Sequence, residues 1–173
     1  HWLTKMGANV FGYSLPPPTS INFFDLTRLK EQISGSFIED ILDLNIIKQS
    51  MKEANPSVVI HMAAQPLVKH SYDFPIDTYK TNIIGTLNVL EAARNIKDVK
   101  AIINITTDKC YENYEQVTPY IETDRLGGYD PYSSSKACSE LVSSSYRNSF
   151  LRNLDIHIAT ARGGNVIGGG DWA

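Results

Sequence analysis

Tyr132 and Lys136 stand four residues apart inside "YDPYSSSKACSELV". On a helix the two would share a face about one turn apart. An ammonium beside a phenol stabilises the phenolate and so creates a proton acceptor usable near neutral pH. With nine tyrosines and ten lysines in 173 residues the pair is not informative by itself, because roughly half a match is expected by chance. The bland alternative is a solvated lysine beside a half-buried tyrosine.

A second cluster strengthens the chemical reading. Thr107, Asp108 and Lys109 follow one another in "NITTDKCYEN", where an apolar run ends. A loop of roughly twenty residues separates them from the Tyr132 segment, long enough to bring Thr107 next to Tyr132. Hydroxyl, phenol and amine around one oxygen suit hydride transfer from an alcohol carbon to a dinucleotide. For Asp108 and Lys109 the competing reading is a surface ion pair at a strand end.

These residues need elements to position them. "NVFGYSL", "SFIED", "SVVIHMAA", "KAIINITT" and "LDIHIATAR" read as strands. The runs "SVVIHMAA" and "KAIINITT" are nearly continuous in apolar residues, as expected for strands covered on both faces. Between them lie helical patterns. Asp43 is placed to cap a helix over "LNIIKQSMKEA", whose Leu44, Ile47, Met51 and Ala54 share a face. A longer helix is expected from Pro75 to Asn95, and another after Asp130 as N-cap with Pro131 at the first helical position. "WLTKMG" reads as the last turns of a helix, and "INFFDLTRLKEQI" is weakly helical. Alternating strands and helices predict a parallel sheet with helices on both faces. In such sheets ligands sit beyond the carboxyl ends of the strands, which is where "HMAAQ", "TTDK" and "RGGN" fall.

Composition narrows the partners. A net charge of -3 with 42% hydrophobic residues describes one ordinary domain, with no electrostatic pull toward nucleic acid or an anionic membrane. Apolar runs are too short for a transmembrane helix, and no signal-peptide pattern is visible at His1. Cys110 and Cys138 lack CxxC spacing, so two reduced thiols in a cytoplasmic protein are expected. His61 and His70 have no ligand-like spacing, and no metal is expected. His1 starts inside a helical pattern and Ala173 ends in a glycine-rich loop, so the chain reads as a piece of a larger protein.

The segments "HMAAQPLV", "TYKTNIIGTLNVLEA", "NITTDKCYEN", "GGYDPYSSSKACSELV" and "GNVIGGGDWA" together resemble the extended short-chain dehydrogenase/reductases. Within that superfamily they are most similar to the CDP-glucose 4,6-dehydratase family, because related sugar-nucleotide dehydratases usually carry Thr-Asp-Glu where this chain has Thr107-Asp108-Lys109. The resemblance covers essentially all of residues 1–173. It implies a Rossmann-like, doubly wound α/β sheet, incomplete at both ends, in one partial NAD-binding domain. The first glycine loop and a carboxy-terminal substrate domain are not in the sequence.

The resemblance also assigns roles. Tyr132 takes the proton of the glucose 4-hydroxyl, Lys136 holds the nicotinamide ribose, and Thr107 bonds the 4-oxygen. Asp108 is the candidate acid for the departing 6-hydroxyl, which calls for a protonated carboxyl in a desolvated pocket. Lys109 is the candidate base for C5, and a proton shared between the two is the alternative. Asp40 and Ile41 match positions at the adenine, and Ala63, Ala64 and Gln65 match the turn beside ribose and phosphates. Asn82 matches a helix asparagine near the site, and Asn165 a residue that holds the substrate diphosphate. Ser14 stands where an acidic residue usually grips the adenosine ribose, so NAD rests on the resemblance.

The implied substrate is a nucleotide sugar, CDP-glucose, in deoxysugar biosynthesis. A homodimer is implied through the helix after "HMAAQ" and the Tyr132 helix, whose small residues in "SSKACSELVSSS" would let two copies pack closely. Two other readings stay open. One is an epimerase or reductase of the same superfamily using only Tyr132, Lys136 and Thr107, and the other is a non-catalytic dinucleotide-binding module. The piece alone is expected to bind NAD poorly and turn nothing over.

Overall fold

The structure, a computed structural model, describes residues 1–168; positions 169–173, the end of the "GNVIGGGDWA" motif, lie outside the described residues. In chain order the elements are α1 (Trp2–Lys5), β1 (Phe11–Ser14), α2 (Phe23–Leu26), β2 (Gly35–Ile38), α3 (Leu44–Ala54) and β3 (Val58–His61). Then come α4 (Val68–Asp73), α5 (Pro75–Tyr79), α6 (Gly85–Ala93), β4 (Ala101–Thr107), α7 (Pro131–Ser149) and β5 (His157–Gly163). Every strand pair is parallel. Strands β1 and β2 form one sheet, and β3, β4 and β5 form another in that order.

The helix ends follow their sequence signals. The Asp43 carboxylate accepts from the backbone N–H groups of Asn45 and Ile46, satisfying donors that the first turn leaves free. Asn55 closes α3 in the left-handed region, at φ 42, where asparagine is tolerated. Asp130 caps α7 by accepting from Ser133 N, with Pro131 in the first turn.

The long helix expected from Pro75 to Asn95 is interrupted. Residues Lys80–Ile84 form a five-residue π-helical segment between α5 and α6. The extra residue per turn turns Asn82 inward, where it is 1% exposed. Such bulges occur often at functional sites.

Helix α6 packs beside both α3 and α7, so the three helices make one layer on the sheet. A core of Leu90, Ala93, Val99, Ile102, Leu151, Ile156 and Ile158 lies under that layer. A second cluster of Ile41, Ile47, Val89 and Ala92 continues it toward β2. Gly85 lets α6 close on β2's end, because a Cβ there would overlap the Ile41 side chain.

Burial of the central strands differs from the sequence expectation. In β4, Ile102, Asn104 and Thr106 are buried while Ala101, Ile103 and Ile105 are half-buried. In β3, Val58 is 50% and Ile60 40% exposed. The alternate positions of β4 that face the helix layer are buried, whereas on β3 Val59 is half-buried and His61 is buried. Strand β3 is also shorter than "SVVIHMAA", ending at His61, and β5 starts after a 3-10 turn over Leu151–Leu154.

Candidate active site

The side chains joining α7 to β4 set the geometry of the site. Asn104 Nδ2 donates to Ser139 Oγ and Ser143 Oγ, each at 2.9 Å, and Lys136 Nζ donates to the Ile105 carbonyl at 2.9 Å. Asp130 and Ser133, at the start of α7, line one cleft with Asp108 and Lys109, just past β4, so the helix begins at the carboxyl end of the strand and runs back along it. Tyr132 lies in that first turn of α7, one turn before Lys136 on the same face. Tyr132, Lys136 and Thr107 are all buried, at 9, 6 and 4% exposure.

Thr107 ends β4 and caps the 3-10 turn Asp108–Cys110. Its hydroxyl accepts from Lys109 N at 3.3 Å and donates to Asp108 Oδ1 at 3.2 Å. The Lys109 ammonium pairs with the same carboxylate oxygen at 3.3 Å. The desolvated setting expected for Asp108 is not present, since the two side chains are about half exposed. The two form a solvent-accessible ion pair at the strand end. On the far side, a Cβ on Gly164 would stand 3.4 Å from Asp108 Oδ2, so β5's end abuts the carboxylate.

Further along the helix from Tyr132 lies a buried polar layer. His61 Nε2 meets Thr86 Oγ1 at 3.0 Å, and Thr86 Oγ1 meets Ser139 Oγ at 3.0 Å. Burial, with a smaller contribution from the Lys136 charge, pushes the His61 imidazole down to about 4, so His61 is neutral near pH 7. Burial also lowers the Lys136 ammonium to about 8, against an opposing pull from Glu140.

Glu140 is the anchor that the sequence reading passed over. Its carboxylate accepts from Thr106 Oγ1 at 2.6 Å, Thr160 Oγ1 at 2.9 Å, and Arg162 Nε and Nη2 at 3.0 and 3.1 Å. Burial alone would raise this carboxyl, but the Arg162, Thr106 and Thr160 bonds outweigh it and hold it below the usual range. Arg162 also stacks over the Tyr111 ring at 4.8 Å and donates to the Glu122 carbonyl. A signal existed: Glu140 is four residues past Lys136, on the buried face of the same helix.

A cleft of about 1120 Å³ opens here, lined by Asp108, Lys109, Tyr111, Tyr129, Arg147 and Arg162 among others. A second cavity, of about 580 Å³, lies at the ends of β1, β2 and β3. It gathers Ser14, Asp40, Ile41, Ala63 and Ala64 with Pro16, Pro17, Pro18, Phe23 and Phe24. Asn88 holds its floor by donating to the Ile41 and Leu42 carbonyls.

Gln65 and Asn82 stand behind that turn. Gln65 N donates to Asn82 Oδ1 at 2.8 Å, Asn82 Nδ2 returns a bond to Gln65 O, and a second bond runs to Ser135 Oγ. Asn82 thus clamps the backbone beside the Ala63–Ala64 pair from inside the helix layer. Asn165 lies exposed just past β5, next to Gly164.

The reason given for close packing of two copies needs correction. Ser135, Ser139 and Ser143 face Asn82, Thr86 and Asn104 of the same chain. Those small residues fit α7 to its own neighbours, leaving Leu141 on the outer face at 59% exposure.

Comparisons with known proteins show the family and the fold. The profile of the GDP-mannose 4,6 dehydratase family matches residues 15–164. A CDP-glucose 4,6-dehydratase of Salmonella typhimurium is 51% identical, covering 99% of this chain and 49% of the relative. A dTDP-glucose 4,6-dehydratase of Haemophilus influenzae is 34% identical over 58% of this chain and 32% of its own length. The chain spans about half or less of the length of these curated relatives. Among solved structures, a Thermotoga maritima UDP-glucose 4-epimerase with UDP-glucose superposes with a TM-score of 0.78 at 25% identity. That match covers 93% of this chain and 49% of the epimerase. A Thermus thermophilus UDP-glucose 4-epimerase complex with NAD gives a TM-score of 0.76 at 24% identity, over 92% and 48% of the two chains. Such neighbours carry the Rossmann-like fold, and with residues 15–164 matched by the profile, the chain belongs to the GDP-mannose 4,6 dehydratase family.

Proposed function

We propose that this chain is the dinucleotide-binding half of a CDP-glucose 4,6-dehydratase, which converts CDP-glucose to CDP-4-keto-6-deoxyglucose and water. The observation that supports the reading is the meeting of the α7 N-terminus, whose first turn bears Tyr132, with the end of β4, where Thr107, Asp108 and Lys109 follow one another. The identity of 51% to the Salmonella enzyme supports CDP-glucose as substrate.

The cavity at the ends of β1–β3 suits NAD. The aromatic and proline walls fit a flat base, and Ala63 and Ala64 allow close approach of a ribose. No lysine or arginine is among its lining residues, while Glu39 and Asp40 are, so a 2′-phosphate would meet carboxylates without a cation. Asp40, Ile41, Ala63, Ala64 and Gln65 would hold the adenosine side, with Asn82 behind them. NAD supplies the hydride acceptor and donor that makes the overall reaction redox-neutral.

This chain's residues move the protons. Tyr132 acts as the phenolate, stabilised by the Lys136 ammonium, and becomes the neutral phenol as it accepts the 4-hydroxyl proton. Thr107 turns its hydroxyl toward the 4-oxygen. The 4-ketone acidifies C5, so Lys109 removes the C5 proton after yielding its own proton toward Asp108. Asp108 protonates the departing 6-hydroxyl, which leaves as water. The ion pair at 3.3 Å provides that proton passage between the two. Asn165 would bind the diphosphate.

The segment's place in a larger protein belongs to the same proposal. The β1–β2 and β3–β4–β5 sheets are separate, and β3's exposed Val58 and Ile60 suit cover by further elements. A homodimer through α4–α6 and α7 is supported by exposed Tyr72, Ile76, Ile84 and Leu141. A cytoplasmic setting is supported by the two free cysteines, and no described helix is long and apolar enough to cross a membrane.

The test incubates the full-length polypeptide with CDP-glucose and NAD in D₂O. The expected product has lost one water by mass and gained solvent deuterium at C5. A product of unchanged mass, epimerised at C4, would sink the dehydratase reading in favour of an epimerase.

A further inference from the structure

We propose that Glu140 is a positioning residue that locks the distance between the Tyr132–Lys136 helix and the strand end carrying Thr107, Asp108 and Lys109. The proposal rests on the dehydratase reading for what those groups do. Its own basis is the connectivity of one buried carboxylate.

Glu140 sits on α7 and is 6% exposed. One oxygen accepts from Thr106, the residue before Thr107, and both oxygens take the Arg162 fork, with Thr160 completing the set. Three elements, α7, β4 and β5, therefore meet at a single group. Arg162 carries the connection into the 111–130 loop through the Tyr111 ring and the Glu122 carbonyl. The same cation and carboxylate line the larger cleft. Fork-to-fork pairing fixes direction as well as distance. A buried ion pair is a poor source of net stability, since apolar residues of similar volume often do as well. What an apolar pair cannot reproduce is the directional hold on Thr106 and on the loop.

Glu140 also faces the reactive lysine electrostatically. The ionisable groups coupled to Lys136 are His61 from β3 and Glu140 one turn later on α7, with the Ile105 carbonyl of β4 as its bonded partner. His61 is neutral, so Glu140 is the negative charge that favours the protonated lysine.

The experiment compares Glu140→Gln, and the double change Glu140→Leu with Arg162→Met, against the unaltered full-length enzyme. Misplacement of reacting groups by about 1 Å can cost about 100-fold. Both variants are therefore expected to lose about 10- to 100-fold in kcat with KM changed less than about 3-fold. The alkaline fall of kcat moves to lower pH in both, because Lys136 loses its favourable charge. The double variant is expected to melt close to the unaltered enzyme, which separates positioning from folding. Full kcat in the double variant, or an unmoved pH profile with loss matching the unfolded fraction, would overturn the proposal. A crystal structure of Glu140→Gln gives a readout free of turnover. If the unaltered enzyme acts on no nucleotide sugar, the dehydratase reading fails. Glu140 is then judged by whether the Thr107–Tyr132 separation widens, and an unchanged separation refutes it.

Discussion

Replacing Lys136 by methionine should separate function from stability in opposite directions. Lys136 is buried and donates to the Ile105 carbonyl, and burial drops its ammonium from 10.5 to about 8. At about 1.4 kcal/mol per pKa unit, keeping that charge inside the fold costs about 3 kcal/mol. Below about pH 8 the lysine is protonated in both folded and unfolded chains, so the cost is present in full. Between about 8 and 10.5 the unfolded chain binds more protons than the folded one, and stability rises with pH. Above 10.5 both forms are neutral and the cost has gone. Methionine fills similar volume without the charge but forfeits the bond to Ile105, a loss of about 1–3 kcal/mol. The net expectation at pH 7 is a variant between neutral and about 2 kcal/mol more stable, lacking turnover. Urea unfolding of the full-length polypeptide from pH 7 to 10.5 checks this. The unaltered protein should gain on the variant by about 3 kcal/mol as pH climbs through that window. A variant destabilised by more than about 2 kcal/mol at pH 7, with the same pH slope as the unaltered protein, would refute the reasoning.

His61 gives the acid-side counterpart. Held near 4 against 6.5 in the unfolded chain, it costs the fold nothing above pH 6.5, where both forms are neutral, and destabilises it progressively as pH falls to about 4. Across that window, urea unfolding of His61→Gln should show about 3 kcal/mol less acid loss than the unaltered protein; equal slopes would contradict it. Gly128 lies at φ 119, and a Cβ there would stand 2.5 Å from the Ser133 carbonyl carbon and Ser134 N. Gly128→Ala should therefore cost about 2 kcal/mol or more and shift the loop from the α7 N-terminus, read by thermal melting. An alanine variant of unchanged melting temperature would show that the loop yields freely.

Much of the frame was legible before any coordinates. Asp43 and Asp130 announced their helices because a cap is chemistry between residues three apart. Tyr132 and Lys136 shared a face because helical pitch alone decides it. Alternation of strand and helix announced parallel pairing, since parallel strands require crossovers. Sequence spacing could not show the π-helical segment that turns Asn82 toward Gln65, because a bulge is settled by what the helix packs against. It also missed the one-sided burial of β3 and β4, for an apolar run reads the same whether one face or two are covered.

By itself, then, the sequence determined the local matters: element types, helix caps, and the identity of the acid, amine, hydroxyl and phenol. Only the tertiary structure decided that α7 begins at the carboxyl end of β4, which brings the segments bearing Tyr132 and Thr107, distant along the chain, to one end of the sheet. It alone showed Glu140 joining three elements, and Asp108 and Lys109 half exposed as a pair. The physical reason is that spacing fixes a side chain's direction from its own element, whereas its surroundings depend on which other element arrives there.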